Sequence, residues 1–205
     1  MKSLCLTLLL LISISLSGQE ESSSSNNWVL GGSFSINYTG SGADDISSNN
    51  SNTYIFSPYV GKQLHPNWLL GSRINLSFSD FSFEQETGGS LEDLGTDFRN
   101  LSLEFFSRYA FAPEKKLSFY LEPNVRYGYS KLTSISLNAS GGLQNITDSA
   151  NFFSIGIGAG FMYDINDKIR ILARIGDASF IGGRTDSFNL GLDLSRISFG
   201  VEFKF

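Results

Sequence analysis

After Asn27 the chain alternates between apolar and polar residues with a period of two. In the first segment Trp28, Leu30 and Phe34 share one face, and Ser33 lies on the other. A period of two is typical of β-strands, because successive side chains of a strand point to opposite sides of the sheet. The pattern recurs in eight segments, which are Trp28–Tyr38, Tyr54–Val60, Trp68–Phe78, Leu101–Phe111, Leu117–Tyr129, Phe153–Tyr163, Ile169–Ile175 and Ile197–Phe205.

The links between these segments are alternately long and short. The long links are Thr39–Thr53, Asp80–Asp97, Lys131–Ala150 and Asp177–Asp186, and the short links are Gln63–Asn67, Ala112–Lys116 and Asp164–Lys168. Short periplasmic turns and longer outer loops are typical of outer-membrane barrels, whose strands need about 9–11 residues to cross the bilayer. The sequence therefore predicts an all-β fold over residues 28–205, an eight-stranded antiparallel up-and-down transmembrane β-barrel with both termini in the periplasm.

Charge decides which face of this barrel meets lipid. The polar faces of the segments carry Arg73, Arg108, Arg126, Arg170 and Arg174. An arginine that faces lipid at mid-depth costs about 2–4 kcal/mol. Together these arginines would exceed the stability of an ordinary domain, which is about 5–15 kcal/mol. We therefore expect the Phe, Leu and Ile faces to contact lipid, and the Gly, Ser and charged faces to line the lumen.

The inward charges form a candidate lumen cluster, which consists of Arg73, Glu104, Arg108, Glu122, Arg126, Arg170, Arg174 and Glu202. Pairing the fourth and fifth segments about a Pro113–Lys115 turn places Ser102 opposite Arg126. Glu104 then lies diagonal to Arg126, within reach of long side chains. An eight-stranded interior is just wide enough to be filled by side chains. We expect a structural polar plug; the alternative is a narrow, gated pore for ions or small solutes.

Two features interrupt the regular pattern. Pro58 and Pro123 lie inside segments, where each removes a hydrogen-bond donor from the ladder, and we expect local bulges there. Residues Phe188 to Leu194 alternate in the opposite parity to the last segment. A bulge near Ser195 would explain that change.

The N-terminus has the organisation of a secretory signal peptide. Residues 1–18 contain a basic Lys2, an apolar core from Leu4 to Leu16 and small residues before Gln19. The apolar core is too short and too often interrupted by serine to span a membrane as a helix. Residues 19–27 then form a short flexible leader. The sequence thus predicts an exported protein.

Composition narrows the chemistry further. The chain has 205 residues with 18 Phe, 8 Tyr, 2 Trp and 21 Gly, and a net charge of −5. The acidic balance argues against a nucleic-acid partner. Its one cysteine, Cys5 within the signal peptide, excludes internal disulfides and cysteine-built metal sites. Its one histidine, His65, lies in a short periplasmic turn, where a general base is far from the outer leaflet. We expect no enzyme activity, no cofactor and no resident metal.

The second long link is strongly acidic. It holds no Lys or Arg, and its carboxylates are Asp80, Glu84, Glu86, Glu92, Asp93 and Asp97. A run of like charge is usually a solvated loop. Carboxylates are also the ligands that Ca²⁺ prefers, so weak binding of divalent cations is the alternative. The spacing matches no EF-hand, and we therefore favour a solvated loop.

Several sequence fragments look like those of a known family. The last segment ends in an alternating apolar run, Ile197, Phe199, Val201, Phe203 and Phe205, which resembles the signal read by the outer-membrane barrel assembly machinery. The fragments Ser57–Gly61, Phe105–Tyr109 and Tyr163–Lys168 resemble those of small outer-membrane β-barrel domains common in Bacteroidetes. These are similar in shape to OmpA/OmpX-type barrels.

The resemblance covers the chain from about Asn27 to Phe205 and implies a fold and a location more than an activity. We expect a monomeric, non-enzymatic protein of the outer membrane. Its partners would be membrane lipid, lipopolysaccharide and, during biogenesis, the assembly machinery. Its outer loops would contact a surface ligand that the sequence does not name.

Overall fold

A computed structural model describes residues 27–41, 49–87, 90–137, 143–183, 186–192 and 197–205. The predicted signal peptide and all of the leader except Asn27 lie outside these ranges. The described part of the chain contains nine strands: β1 Trp28–Ser41, β2 Asn49–His65, β3 Trp68–Thr87, β4 Ser90–Phe111, β5 Leu117–Leu137, β6 Leu143–Asp164, β7 Ile169–Gly182, β8 Ser187–Leu192 and β9 Ser198–Lys204. No helix among the described residues is long and apolar enough to cross a membrane.

The strands form one closed antiparallel ring. Each of β1 to β7 pairs with its neighbour in sequence, and β9 pairs with both β7 and β1. β8 pairs with β7 beyond the end of β9, so β8 and β9 together take the place of the eighth strand of the barrel. This ring confirms the predicted up-and-down barrel. The bulge expected near Ser195 lies outside the described residues.

Side chains of the ring alternate between lipid and lumen as predicted. In β4, Leu101 and Leu103 are 52% and 45% exposed, whereas Ser102 and Glu104 between and after them are buried. Apolar side chains that remain exposed in regular alternation fit a surface solvated by lipid rather than by water. At the end with the short turns, outward-facing rings touch from β3 to β6 in a continuous row: Trp68, Tyr109, Phe111, Phe119 and Phe161.

One position departs from this alternation. The sequence pattern placed Ile175 on the lipid face with the other apolar residues of β7. A bulge at Ala159 and Gly160 leaves Ile175 without a partner on β6, and its side chain lines the lumen instead. The parity of β7 changes there, so Phe180 faces outward further along.

The predicted long loops are largely strand, which corrects the sequence reading. β3 and β4 continue through the acidic link to a hairpin, with Asp80 opposite Asp97 and Glu84 opposite Asp93. β3 to β6 contain 20, 22, 21 and 22 residues, about twice the length needed to cross a bilayer. Polar residues such as serine and threonine in these links still favour a pleated ladder when a neighbouring strand extends alongside.

The two prolines are accommodated without the predicted bulges. The β2–β3 register continues from Phe56↔Leu76 to Tyr59↔Arg73 with no shift, and the two pairs around Pro58 are missing from the ladder. The β4–β5 ladder lacks the two pairs around Pro123 in the same way. Each proline therefore interrupts hydrogen bonding on one edge of its strand and leaves the register intact.

The two ends of the barrel chain meet beside the short turns. The backbone N–H of Phe205 donates to the carbonyl of Trp28 at 3.0 Å, and that of Lys204 donates to the carbonyl of Lys168 at 2.8 Å. His65 is exposed at the same end, where its Nδ1 accepts a long 3.5 Å bond from the backbone N–H of Asn67. The extended hairpins lie at the opposite end.

Candidate functional site

Three glutamates lie inside the barrel with 0% of their surface exposed: Glu104 on β4, Glu122 on β5 and Glu202 on β9. A buried carboxylate costs several kcal/mol to desolvate unless it is paired and hydrogen-bonded. Strand alternation turns all three inward, so their partners must come from other strands of the same lumen.

Arg73 on β3 and Arg108 on β4 join the three glutamates into one chain of charges. Arg73 donates through Nη1 to Oε1 of Glu104 at 2.6 Å and through Nη2 to Oε1 of Glu122 at 2.9 Å. Arg108 contacts Oε2 of Glu122 through Nε at 2.7 Å and Nη2 at 2.6 Å, and donates through Nη1 to Oε1 of Glu202. We call these five residues the lumen network. It runs across the barrel interior from β4 to β9.

Arg126 and Arg174 lie beside the network and are held less firmly. Arg126 donates through Nε and Nη2 to a single oxygen, Oε2 of Glu104, at 3.0 and 2.9 Å. Nη1 of Arg174 lies 3.6 Å from Oε1 of Glu122, beyond hydrogen-bond distance. Their side chains are 32% and 22% exposed, against 7% and 3% for the two arginines of the network.

Arg170 belongs to a second cluster at the end with the short turns. It holds Asp164 with two bonds, from Nε at 2.7 Å and Nη2 at 3.0 Å, and Nζ of Lys204 donates to the same carboxylate at 2.8 Å. Its Nη1 lies 3.7 Å from Glu202, which links this cluster to the lumen network. The structure thus brings all eight predicted lumen residues into one connected group.

Inward-facing aromatic rings surround the guanidinium of Arg108. Its Cζ lies 4.9 Å from the ring centre of Tyr120 and 5.5 Å from those of Tyr59 and Phe106. The hydroxyl of Tyr59 donates to Oε1 of Glu202 at 2.5 Å. Cation–π contacts and this bond stabilise charges that have lost their water. The sequence analysis did not predict these rings, because it considered only the charged residues of the inward faces.

A glycine stands directly opposite each of these rings on a neighbouring strand. The register pairs Gly31 with Tyr59, Gly71 with Phe106 and Gly160 with Tyr120. A Cβ at these glycines would approach the ring atoms to 2.4, 2.4 and 2.6 Å. The rings lie flat over the glycine backbone because no side chain stands there. The signal in the sequence was a single aromatic residue on the polar face of each of three strands, β2, β4 and β5.

The β4–β5 register differs by two residues from the one predicted. Glu104 lies directly opposite Arg126, and Ser102 lies opposite Gly128 rather than opposite Arg126. The loop between the two strands is centred on Lys115, one residue further along than the centre of the predicted turn. It begins with a turn in which the N–H of Lys115 donates to the carbonyl of Ala112 at 3.1 Å and Ala112 has a positive φ of 53°.

Other predicted residues lie away from the lumen. In the terminal run, Phe199, Val201, Phe203 and Phe205 are 60%, 41%, 46% and 42% exposed on the lipid face, and Ile197 is partly exposed. Of the acidic residues, Asp80 and Asp97 are exposed, and the side chains of Glu84, Glu86, Glu92 and Asp93 lie outside the described part. Among described residues, no group of three or more His, Cys, Asp or Glu is arranged to hold a metal ion.

The sequence matches one protein-family model, described as the autotransporter beta-domain, over residues 14–201. No curated protein matches the sequence. Solved structures with a similar arrangement include neisserial surface protein A, at 16% identity and a TM-score of 0.44, which covers 87% of this chain and 96% of its own.

Two further similar structures are an autotransporter and a protease. The translocator domain of autotransporter NalP from Neisseria meningitidis has 9% identity and a TM-score of 0.44, covering 100% of this chain and 96% of its own. Outer membrane protease OmpT from Escherichia coli has 10% identity and a TM-score of 0.41, covering 91% and 99%.

Proposed function

This chain belongs to the autotransporter beta-domain family and is an outer-membrane β-barrel of Gram-negative type, and we propose that it is a non-enzymatic surface protein with a plugged lumen. Its role would be to contact a ligand outside the cell through the extended hairpins, or to contribute to envelope structure through them. Both termini would lie in the periplasm, beside the short turns.

The observation that carries the proposal is the lumen network. Its five charged side chains cross the interior and leave the three glutamates with no exposed surface. An extended polypeptide or a hydrated solute would pass only if these ion pairs separated, and separating a buried pair costs about 3–5 kcal/mol. Export of a passenger through this barrel is therefore not part of the proposal, despite the family description.

The extended sheet supports a role in contacts outside the cell. In the lipid belt, by which we mean the part of the barrel where exposed apolar and buried residues alternate, as in Leu101–Phe106, one face of each strand is covered. On β6, by contrast, the consecutive residues Gln144, Asn145, Ile146 and Thr147 are all exposed. Both faces of this part of the sheet are therefore open to solvent. Such a surface, held on a rigid barrel, is where binding residues concentrate in membrane proteins of this architecture.

Planar-bilayer recording tests the plug. The protein is refolded and its folding confirmed by heat-modifiability on gels, and its conductance is compared with that of Glu122→Ala and of a Glu114→Ala control. Glu114 is exposed in a short turn. We expect a silent bilayer for the native protein and the control, and discrete steps for Glu122→Ala. Steady conductance by the native protein would contradict the plug.

The second candidate function is a narrow pore for ions or small solutes. It is favoured by two cavities on opposite sides of the network, one of about 610 Å³ towards the hairpins and one of about 510 Å³ beside the short turns. Only a rearrangement of the ion pairs would join them. Native conductance that changes in Glu122→Ala would support this candidate.

Surface contact is tested by shortening the β3–β4 hairpin. Deleting residues 81–96 removes most of the acidic extension while keeping the belt. We expect loss of adhesion of whole cells to their target surface, or increased sensitivity to detergent, with unchanged levels of folded barrel. Adhesion and envelope integrity that both remain unchanged would contradict the proposal. The expected contacts with lipopolysaccharide and with the assembly machinery, and the monomeric state, remain predictions.

A further inference from the structure

The cavity on the hairpin side of the lumen network is a chamber that opens outward, and we call it the vestibule. Its volume is about 610 Å³, which is within the range of small-molecule sites. Its floor includes Arg73, Arg108, Arg126 and Arg174, while the three network glutamates do not line it. The arginines thus face the open space and the carboxylates lie behind them.

Arg174 has donors that no acceptor among the described residues uses. Oε1 of Glu122, the oxygen nearest to it, already accepts from Arg73 at 2.9 Å, and Oε2 accepts from Arg108 at 2.7 Å. Arg174 remains 3.6 Å away, and among the described residues it makes no hydrogen bond. Its guanidinium lies flat over Gly158, where a Cβ would come within 2.3 Å of Nη2. Because Gly158 has no side chain, the guanidinium of Arg174 can lie directly against the cavity wall.

Only one edge of the Arg126 guanidinium contacts a carboxylate. Its Nε and Nη2 both contact Oε2 of Glu104, and within the described residues its Nη1 has no partner. A guanidinium presents five donors in a planar fork, so this arrangement leaves part of the fork directed away from the network.

Charge is unevenly placed around the vestibule. Four guanidinium groups, from Arg73, Arg108, Arg126 and Arg174, lie at its floor, and three of the carboxylates that balance them lie behind the floor in the lumen network. Asp177 also lines the vestibule, but it is exposed, accepts a 3.3 Å bond from Ser179, and forms no ion pair with the described arginines. Guanidinium groups that line the floor while the network carboxylates lie behind them favour an anion.

The walls above this floor are rich in hydroxyl and amide groups. They include Ser35, Asn37, Ser77, Asn100 and Asn189, from four different strands. Such groups donate and accept hydrogen bonds in several directions, as a ligand with many hydroxyls requires. Ile55 and Leu172 contribute to the apolar part of the lining.

We propose that the vestibule binds a small acidic sugar, with its carboxylate on Arg174 and Arg126 and its hydroxyls on the serine and asparagine walls. This binding is separate from the proposed surface role. It rests on the proposed plugged lumen in one respect, because the plug closes the floor of the vestibule. A bidentate guanidinium–carboxylate contact gives both the strength and the orientation. The serine and asparagine walls favour an anion that also has hydroxyl groups over one that has none.

Isothermal titration calorimetry of the protein in lipid nanodiscs tests this site. The probes are D-glucuronate, D-glucose as the neutral analogue and sulfate as an anion without hydroxyls. We expect glucuronate to bind at least tenfold more tightly than either of the others. Equal binding of glucose would overturn the role assigned to the arginines. Equal binding of sulfate would overturn the role of the walls, and absence of glucuronate binding would overturn the whole proposal.

Matched variants locate the binding. Arg174→Gln should weaken glucuronate binding at least tenfold, and Arg174→Lys should retain part of the affinity. Arg99→Gln removes the same charge from an exposed residue on the outward face of β4 and should bind like the native protein. Each variant is first checked for heat-modifiability. Equal affinity of folded Arg174→Gln and the native protein for glucuronate would contradict the site. That result would leave the plugged lumen standing, because the plug is tested separately by bilayer recording.

Discussion

Replacing Glu122 by glutamine tests whether the carboxylate shared by the two arginines of the lumen network stabilises the barrel. Glu122 has no exposed surface and accepts bonds from Arg73 and Arg108. Glutamine keeps the shape but removes the carboxylate that Arg73 and Arg108 share, so each of these buried arginines keeps only one carboxylate of the network, Glu104 or Glu202. Breaking a buried pair on one side costs about 3–5 kcal/mol, and the three short contacts place this site within that range. We expect the free energy of unfolding to fall by about that amount.

Urea titration of the refolded protein in lipid bilayers measures this effect, with the folded fraction read from heat-modifiability on gels. With an m-value of about 2 kcal/mol/M, the midpoint should fall by about 2 M. Glu114→Gln removes an equal charge from an exposed turn and should change stability by less than about 0.5 kcal/mol. A Glu122→Gln variant within 1 kcal/mol of the native protein would refute the reasoning, because the two buried arginines would then not need the carboxylate that they share.

A double-mutant cycle separates the arginines that contact Glu122. Arg108 lies 2.6 Å from its carboxylate and Arg174 lies 3.6 Å away. Residues in direct contact couple by about 0.5–3 kcal/mol, and we expect the Arg108 cycle to lie at the upper end. The Arg174 cycle should lie near the lower end, because its donors are directed to the vestibule. Equal coupling would mean that Arg174 belongs to the plug.

Three further predictions concern the barrel surface, its packing and the acidic hairpin. Phe105→Arg, in the lipid belt, should destabilise by about 2–4 kcal/mol in the same titration, whereas Phe81→Arg, on the extension, should have little effect; equal losses would contradict the position of the belt. Gly31→Ala should cost about 1–3 kcal/mol because its Cβ meets Tyr59, and Gly32→Ala, whose nearest neighbour is 3.6 Å away, serves as the control; similar stabilities would show that the ring moves freely. Calorimetric titration of the protein with Ca²⁺ should give no heat if the Asp80–Asp97 segment is only solvated, and saturable heat would instead indicate a cation site.

The candidate site was predictable in its membership but not in its contacts. Strand parity alone placed Glu104, Glu122 and Glu202 in the lumen, because a charge on the lipid face is too costly. To predict that Arg73 pairs with two of these glutamates, one must know which strands are neighbours and where each residue lies along the barrel axis. The aromatic rings around Arg108 were missed because their packing depends on glycines of neighbouring strands, which no local pattern connects.

Except at Ile175, where a bulge changes the parity of β7, the sequence by itself determined which residues face lipid and which face the lumen. Alternation has a period of two, so a register shift of two residues, as between β4 and β5, leaves every side chain on its face. Only the tertiary structure decided which charges meet, because the register depends on turn geometry such as the positive φ of Ala112. It also decided that the polar links continue as strands, because ladder hydrogen bonds with a neighbouring strand outweigh weak local preferences.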